Sequence, residues 1–296
     1  MWNTHLLHRS EQIGELLVAS IASQGVDFVI HCGDLTHWGD IKSFSYAHDI
    51  LTRFKVPVLF TLGNHDTGLA GTRRNLARMF SLDQELFYYV KYINNVRYIF
   101  LDSNYAHLAS GDESEEMCWD STHEYTGVGF SSAQIAWLQA ELQRDRDTMT
   151  LVVAHHPIAS KSEYPIISPR DIGAPQLRIG PVWQKLFPKY HKEILALLEA
   201  APNVRAMFTG HWHINCITRV RNLYHVKTSS LIEYPFEYRI VDINHHYLTV
   251  STQTLPSEDV CKESLVDEWQ NTWIRGELFD RERRIYVDDE LIKTRL

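Results

Sequence analysis

Four short apolar runs in this chain each stop at a side chain able to bind a metal, and that repeated ending constrains the fold more than any other feature. Val26-Asp27-Phe28-Val29-Ile30-His31-Cys32 stops at Gly33-Asp34, and Pro57-Val58-Leu59-Phe60-Thr61-Leu62 stops at Gly63-Asn64-His65-Asp66. Thr150-Leu151-Val152-Val153-Ala154 ends in His155-His156-Pro157, and Val204-Arg205-Ala206-Met207-Phe208-Thr209 ends in Gly210-His211-Trp212-His213. Near-continuous apolar runs of this length read as strands buried on both faces. Helical periodicity separates them: Ser10 to Gln24 through Ile13, Leu16, Leu17 and Ile21, then Ile41 to Phe54, Ser131 to Arg144 and His191 to Ala200. Helix and strand alternate, so the class is α/β, and such folds place their chemistry where buried strands end.

Other segments fill in the frame. Phe87 to Val90 and Val96 to Leu101 read as a strand pair about the turn Asn94-Asn95. His107 to Gly129 reads as a long polar loop, and Ile158 to Leu186, rich in Pro, Ser and Gly, as a surface insertion. Strand-like runs at Ile214–Arg219, Leu223–Thr228, Tyr238–Ile243 and Tyr247–Thr254 predict a largely antiparallel second sheet. The charged tail from Pro256 keeps Trp269, Trp273, Ile274, Phe279, Ile285 and Tyr286, so it is expected to be ordered. The expected division is residues 1–255 as one domain and 256–296 as an extension packing on the body or on a second subunit; homo-oligomerisation stays open.

Charge and cysteine usage narrow the function. A formal net charge of −8 argues against broad binding to nucleic acid or to an anionic membrane. An anionic substrate then needs local positive charge, which metal ions supply. Cys32, Cys118, Cys216 and Cys261 have no paired spacing, as expected of a reducing compartment or of buried thiols. No apolar run spans a bilayer and no signal peptide is visible, so the expectation is a cytoplasmic chain.

Asp34, Asn64 with His65, His155 with His156, and His211 with His213 form a mixed nitrogen and oxygen donor set. Such a set suits Zn, Fe or Mn ions, whereas calcium avoids imidazole. One metal cannot use all of these groups; two ions about 3.5–4 Å apart can.

The order Gly33-Asp34, Gly63-Asn64-His65-Asp66, His155-His156-Pro157, Gly210-His211-Trp212-His213 resembles the calcineurin-like metallophosphoesterase superfamily over roughly residues 1–255. Its middle segments look most like the class III cyclic-nucleotide and glycerophosphodiester phosphodiesterase branch. The resemblance implies a four-layer α/β/β/α sandwich with two mixed sheets, holding two divalent metal ions (Mn, Fe or Zn). It makes Asp34 the carboxylate bridging both metals, puts Asn64, His155 and His211 on the second and His213 on the first, and gives Asn64 and His65 to substrate binding. His65 resembles the histidine that faces the scissile phosphate and assists the leaving oxygen. The implied reaction is hydrolysis of a small-molecule phosphoester, most of all a phosphodiester, by in-line attack of a metal-bound hydroxide.

Several neighbours keep ordinary readings. Asp66 is expected to orient its loop or cap the next helix, and His156 to pack behind the ligands. His37 and Trp38 are read equally as substrate contacts or as packing. The family's opening motif is Asp-x-His, whose two residues both bind the first metal, and here the chain offers Asn3-Thr4-His5. Either Asn3 and His5 are that motif in altered form, with a neutral ligand and a weakened first site, or the motif lies upstream of Met1. The altered form is favoured, because His5 to Asp34 leaves room for the intervening helix. A weakened or non-catalytic relative that binds phosphate ligands or a protein partner is the alternative function.

Overall fold

The computed structural model describes residues 3–80, 86–114, 125–159, 187–244, 246–266 and 274–286. After a short 3-10 turn, Leu7–Arg9, come α1 (Ser10–Ala22), β1 (Val29–His31), α2 (Ile41–Leu51), β2 (Val58–Phe60) and α3 (Thr72–Met79). Next are β3 (Tyr89–Ile93), β4 (Val96–Phe100), β5 (Tyr105–Leu108), β6 (Glu113–Ser114), β7 (Tyr125–Gly129), α4 (Ser132–Arg144) and β8 (Thr150–Val153). The rest is α5 (His191–Glu199), β9 (Val204–Thr209), β10 (Cys216–Val220), β11 (Leu223–Lys227), β12 (Glu237–Ile243), β13 (Tyr247–Thr254), α6 (Glu258–Ser264), α7 (Leu278–Arg281) and β14 (Glu282–Tyr286).

Local chemistry sets the boundaries. Asp40 caps α2 by accepting from the Lys42 and Ser43 backbone N–H groups, and the Ser131 side chain caps α4 by accepting from Gln134 N–H. Asn94 and Asn95 both have positive φ, at 50° and 62°, as a two-residue hairpin between β3 and β4 requires.

The main sheet has six strands in the order β10-β11-β9-β8-β4-β3, with β11, β9, β8 and β4 parallel and the two edges antiparallel. One face, through Ile99, Val152, Met207 and Leu223, packs on α4 and α5 at Leu138, Leu142, Ile194 and Leu198. The other, through Phe100, Leu151, Val153, Phe208 and Val226, packs on Ile30 and Leu59 and on Val241, Leu248, Val250 and Ile285. Those residues belong to a second layer of strands in two pieces, the parallel pair β1-β2 and the antiparallel β12-β13-β14. Its outer face is closed by Ile13 and Ile21 of α1, Leu51 of α2 and Val260 of α6. The result is a four-layer α/β/β/α sandwich, with helices packed on the outer face of each strand layer.

Two sequence readings change. β10 and β11 join the main sheet instead of the second one: β11 pairs in parallel with β9, and the hairpin carries β10 to the edge. Apolar patterning shows that a strand is buried on both faces and does not show which sheet it joins. The segment expected to be a loop from His107 to Gly129 contributes the small antiparallel sheet β6-β5-β7. Gly127 and Gly129 supply no side chains to alternate, which hid β7 from a periodicity reading. Residues 160–186, the bulk of the expected insertion, lie outside the described residues, as do Cys118, Trp269 and Trp273. In the tail, β14 pairs with β13 and Ile274 packs against Trp212, Ile214 and Cys216.

Candidate metal centre

The loops that follow β1, β2, β8 and β9 leave the carboxyl ends of parallel strands and bring Asp34, Asn64, His155 and His211 together. His155 Nε2 lies 3.0 Å from Asn64 Oδ1, 3.2 Å from His211 Nδ1 and 3.2 Å from Asp34 Oδ2, and His211 Nδ1 is 3.1 Å from Asn64 Oδ1. Tautomers turn this packing into a statement about charge. His155 Nδ1 is 2.9 Å from the carbonyl oxygen of Cys32, which can only accept, so Nδ1 carries a hydrogen, and in the neutral ring Nε2 presents a lone pair. Asp34 Oδ2 and Asn64 Oδ1 present lone pairs as well. With His155 neutral, three hydrogen-free atoms face one another at hydrogen-bond distance, an arrangement that a cation stabilises. Edges of 3.0–3.2 Å also match the separation of ligands on an ion with bonds of about 2.0–2.2 Å. The donor set fits a divalent metal.

The protonation states agree. Burial first, then the neighbouring His155, pushes His211 down to about 3, leaving it neutral as a metal ligand must be. Asp34 is half-buried, which favours the neutral acid, yet the charge and hydrogen bond of His155 hold it well below the ordinary carboxylate range. His155 feels the converse: burial disfavours its charge, while Asp34 draws its pKa above the ordinary value. Asp34 is asking for a positive charge at the Nε2 position, and a proton supplies only one.

The backbone is forced to make this site. Asp34, His211 and His213 have φ of 56°, 64° and 52°, in a region that non-glycine residues enter at a cost. Gly63 permits the approach of the first two loops: a Cβ there would sit 2.0 Å from Asp34 Oδ1 and 2.2 Å from its backbone nitrogen. Asp66, fully buried, ties the same loops by accepting from the N–H groups of Leu35, Thr36 and Gly63 at 3.1, 2.8 and 2.9 Å. Burial and the charge of Asp34 push the Asp66 carboxyl up to about 6, against the pull of those donors. His156 has its ring centroid 4.2 Å from that of His211 and its Nδ1 2.8 Å from Ser103 Oγ, and one ring nitrogen of His156 lies within 4.8 Å of those of His155 and His211.

His65 donates its backbone N–H to Asp34 Oδ1 at 2.9 Å. Its ring stacks on His37, centroids 5.1 Å apart, and Nδ1–H donates to the His37 carbonyl at 2.8 Å. Nε2 is therefore the ring nitrogen that this carbonyl leaves open. His37 acts here through its ring face and carbonyl, and Trp38 beside it is 62% exposed.

His213 and His5 belong to a second cluster, completed by a residue the sequence reading missed. His213 Nδ1 is hydrogen-bonded to Glu233 Oε1, and His5 Nε2 is 3.4 Å from the same oxygen. Burial favours the neutral Glu233, yet the hydrogen bonds from His213 and His5 hold its carboxyl below the usual range. The one available signal was an acid set inside the apolar stretch Leu231-Ile232-Glu233-Tyr234-Pro235. Asn3 does not face this cluster as a ligand. Its Nδ2–H donates to the Tyr234 carbonyl at 3.3 Å and its Oδ1 accepts from Val266 N–H at 3.2 Å, so both ends of the amide are occupied by backbone. Asn3→Asp sets a buried carboxylate oxygen against that carbonyl and is expected to destabilise the fold by about 1–3 kcal/mol, read by thermal unfolding, with no gain in metal affinity.

A family model described as calcineurin-like phosphoesterase matches residues 6–215. The chain belongs to this family. A glycerophosphodiester phosphodiesterase, GpdQ, from Enterobacter lignolyticus is 25% identical over 197 residues, covering 66% of this chain and 59% of the relative. The uncharacterized protein YvnB of Bacillus subtilis is 26% identical over 196 residues, or 64% of this chain and 13% of that protein. The chain thus spans less than two thirds of the length of either relative. Among solved structures, a dimetal phosphatase from Danio rerio superposes with a TM-score of 0.67 at 14% identity, covering 97% of this chain and 92% of that one. GAP50, described as the anchor in the inner membrane complex of Plasmodium, gives 0.52 at 13% identity, covering 83% and 80%. Among the described residues no helix is long and apolar enough to cross a membrane.

Proposed function

We propose that this calcineurin-like phosphoesterase hydrolyses small-molecule phosphodiesters with two divalent ions, which Asp34 would help to hold. The observation that carries the reading is the convergence of Asp34 Oδ2, Asn64 Oδ1 and His211 Nδ1 within 3.2 Å of His155 Nε2. Asn64, His155 and His211 would hold the second ion, His213 and His5 the first; Asn3 is assigned to holding the backbone. When bound, such ions offset phosphate charge and bring the pKa of bound water toward neutrality.

The chain's own residues do the rest. Asn64 as a neutral ligand adds no negative charge to repel an incoming phosphate. His65 is held at its Nδ1 end by the His37 carbonyl, leaving Nε2 to carry a proton to the departing oxygen. Stacking on His37 fixes the plane of that ring, so little reorientation is needed at the moment of transfer. Preference for a diester rests on the likeness to GpdQ, itself described as a glycerophosphodiester phosphodiesterase.

The test compares bis(p-nitrophenyl) phosphate with p-nitrophenyl phosphate, with and without added Mn²⁺. Metal-dependent turnover of the diester, faster than of the monoester, is expected. A chain that binds metal yet turns over neither compound is a non-catalytic relative, and the enzyme reading is then lost.

A further inference from the structure

We infer that Glu233 is the carboxylate ligand of the first metal position, completing with His5 and His213 a two-histidine, one-carboxylate cation site. The inference rests on the two-metal reading above and adds to it a residue that the motif pattern does not contain. One nitrogen each from His5 and His213 and one oxygen from Glu233 all lie within 4.8 Å of one another. Two imidazoles and one carboxylate make a donor set common to Zn, Mn and Fe sites.

The second observation is independent of that convergence. Glu233 is 1% exposed, and its Oε2 has no hydrogen-bond partner among the described residues. A buried carboxylate with one oxygen unsatisfied is costly, and two histidines that share the other oxygen do not compensate it when neutral. A divalent ion does so directly.

The backbone is built to hold this pair. Residues on either side of Glu233 are tied to residues on either side of His5. Leu6 N–H donates to the Ile232 carbonyl at 2.8 Å, and Asn3 Nδ2–H donates to the Tyr234 carbonyl. Ser264 locks both strands of the junction: its carbonyl accepts from Thr4 N–H at 2.9 Å and its Oγ from Tyr234 N–H at 2.8 Å. His5 and Glu233 are thereby placed opposite each other by neighbours whose own groups are occupied. His213 reaches the same point from a left-handed backbone, φ 52°. Asn3 positions the site without joining it, and the carboxylate arrives from the loop between β11 and β12.

Calorimetric titration with Zn²⁺ and metal analysis after dialysis test this. Two equivalents are expected for the wild-type chain and one for both Glu233→Gln and His5→Ala, the remaining equivalent sitting on Asn64, His155 and His211. A second equivalent that Glu233→Gln still binds with a Kd raised by less than about 100-fold is what a merely orienting carboxylate gives, and it overturns the assignment. Crystals of the wild-type chain soaked in Zn²⁺ decide the matter if the buried substitution prevents folding. An ion within about 2.0–2.2 Å of a Glu233 oxygen is expected; an ion on His5 and His213 with Glu233 outside bonding distance overturns it. Absence of an ion at Asp34, or no loss of an equivalent in Asp34→Asn, counts against the two-metal reading alone and leaves Glu233 judged by its own ion.

Discussion

Gly63→Ala is expected to weaken metal binding at Asp34 and to cut metal-dependent turnover by about 100-fold or more, because a displacement near 1 Å at a reacting centre already costs about 10²-fold in rate. The added Cβ falls 2.0 Å from Asp34 Oδ1, 2.2 Å from Asp34 N and 2.7 Å from Asp34 Cγ. None of these is the loose end of a flexible side chain. Asp34 is held from the other side by His65 N–H and faces His155, so it cannot retreat without leaving both. Overpacking of this kind costs about 1–3 kcal/mol in stability. The site loses more, because the loops of β1 and β2 must separate. Gly127→Ala is the control: its Cβ meets nothing within 4 Å, and turnover should stay within about twofold, as for ordinary surface changes. Titration of both variants with Mn²⁺ checks the contrast. A Gly63→Ala chain that binds two ions with wild-type affinity would show that Asp34 is not a ligand.

The same crowding explains what the sequence could disclose. Asp34, Asn64, His155 and His211 were legible because each follows its own apolar run, and parallel strands deliver their carboxyl ends to one edge of the sandwich. Gly33 and Gly63 were legible for the same reason, standing where two such loops must pass within contact distance. Glu233 was not, because it lies in a connection with no strand ending beside it; its partners are 20 residues and more away in the chain, His213 and His5. Asn3 was read as a ligand, in one of two readings, because Asn3-Thr4-His5 stands where the family has Asp-x-His. Spacing cannot register that the Tyr234 carbonyl and Val266 N–H claim both ends of its amide. Assignment of β10 and β11 to a sheet failed for a related reason, since strand pairing across the fold leaves no local mark when both faces are apolar.

His65→Ala should slow turnover of a phosphodiester with an alkyl leaving group by roughly 10²–10⁴-fold, the range for loss of a positioned general acid. Metal content should not change. The contact from residue 65 to Asp34 is made by the backbone N–H, which alanine keeps, while the ring's Nδ1 is turned to the His37 carbonyl. A structural role for the ring and a catalytic one separate in the leaving-group series. If His65 Nε2 delivers the proton, p-nitrophenolate, which leaves well without one, should lose far less rate than an alkoxide, and the dependence of log kcat on leaving-group pKa should steepen in the variant. If the ring only supports the loop through its stacking on His37, every substrate should slow by the same factor and metal should be lost as well. A uniform loss across the series would remove His65 from the chemistry. A steepened slope with two ions retained would assign the proton to Nε2, since Nδ1 is committed to the His37 carbonyl in the folded chain.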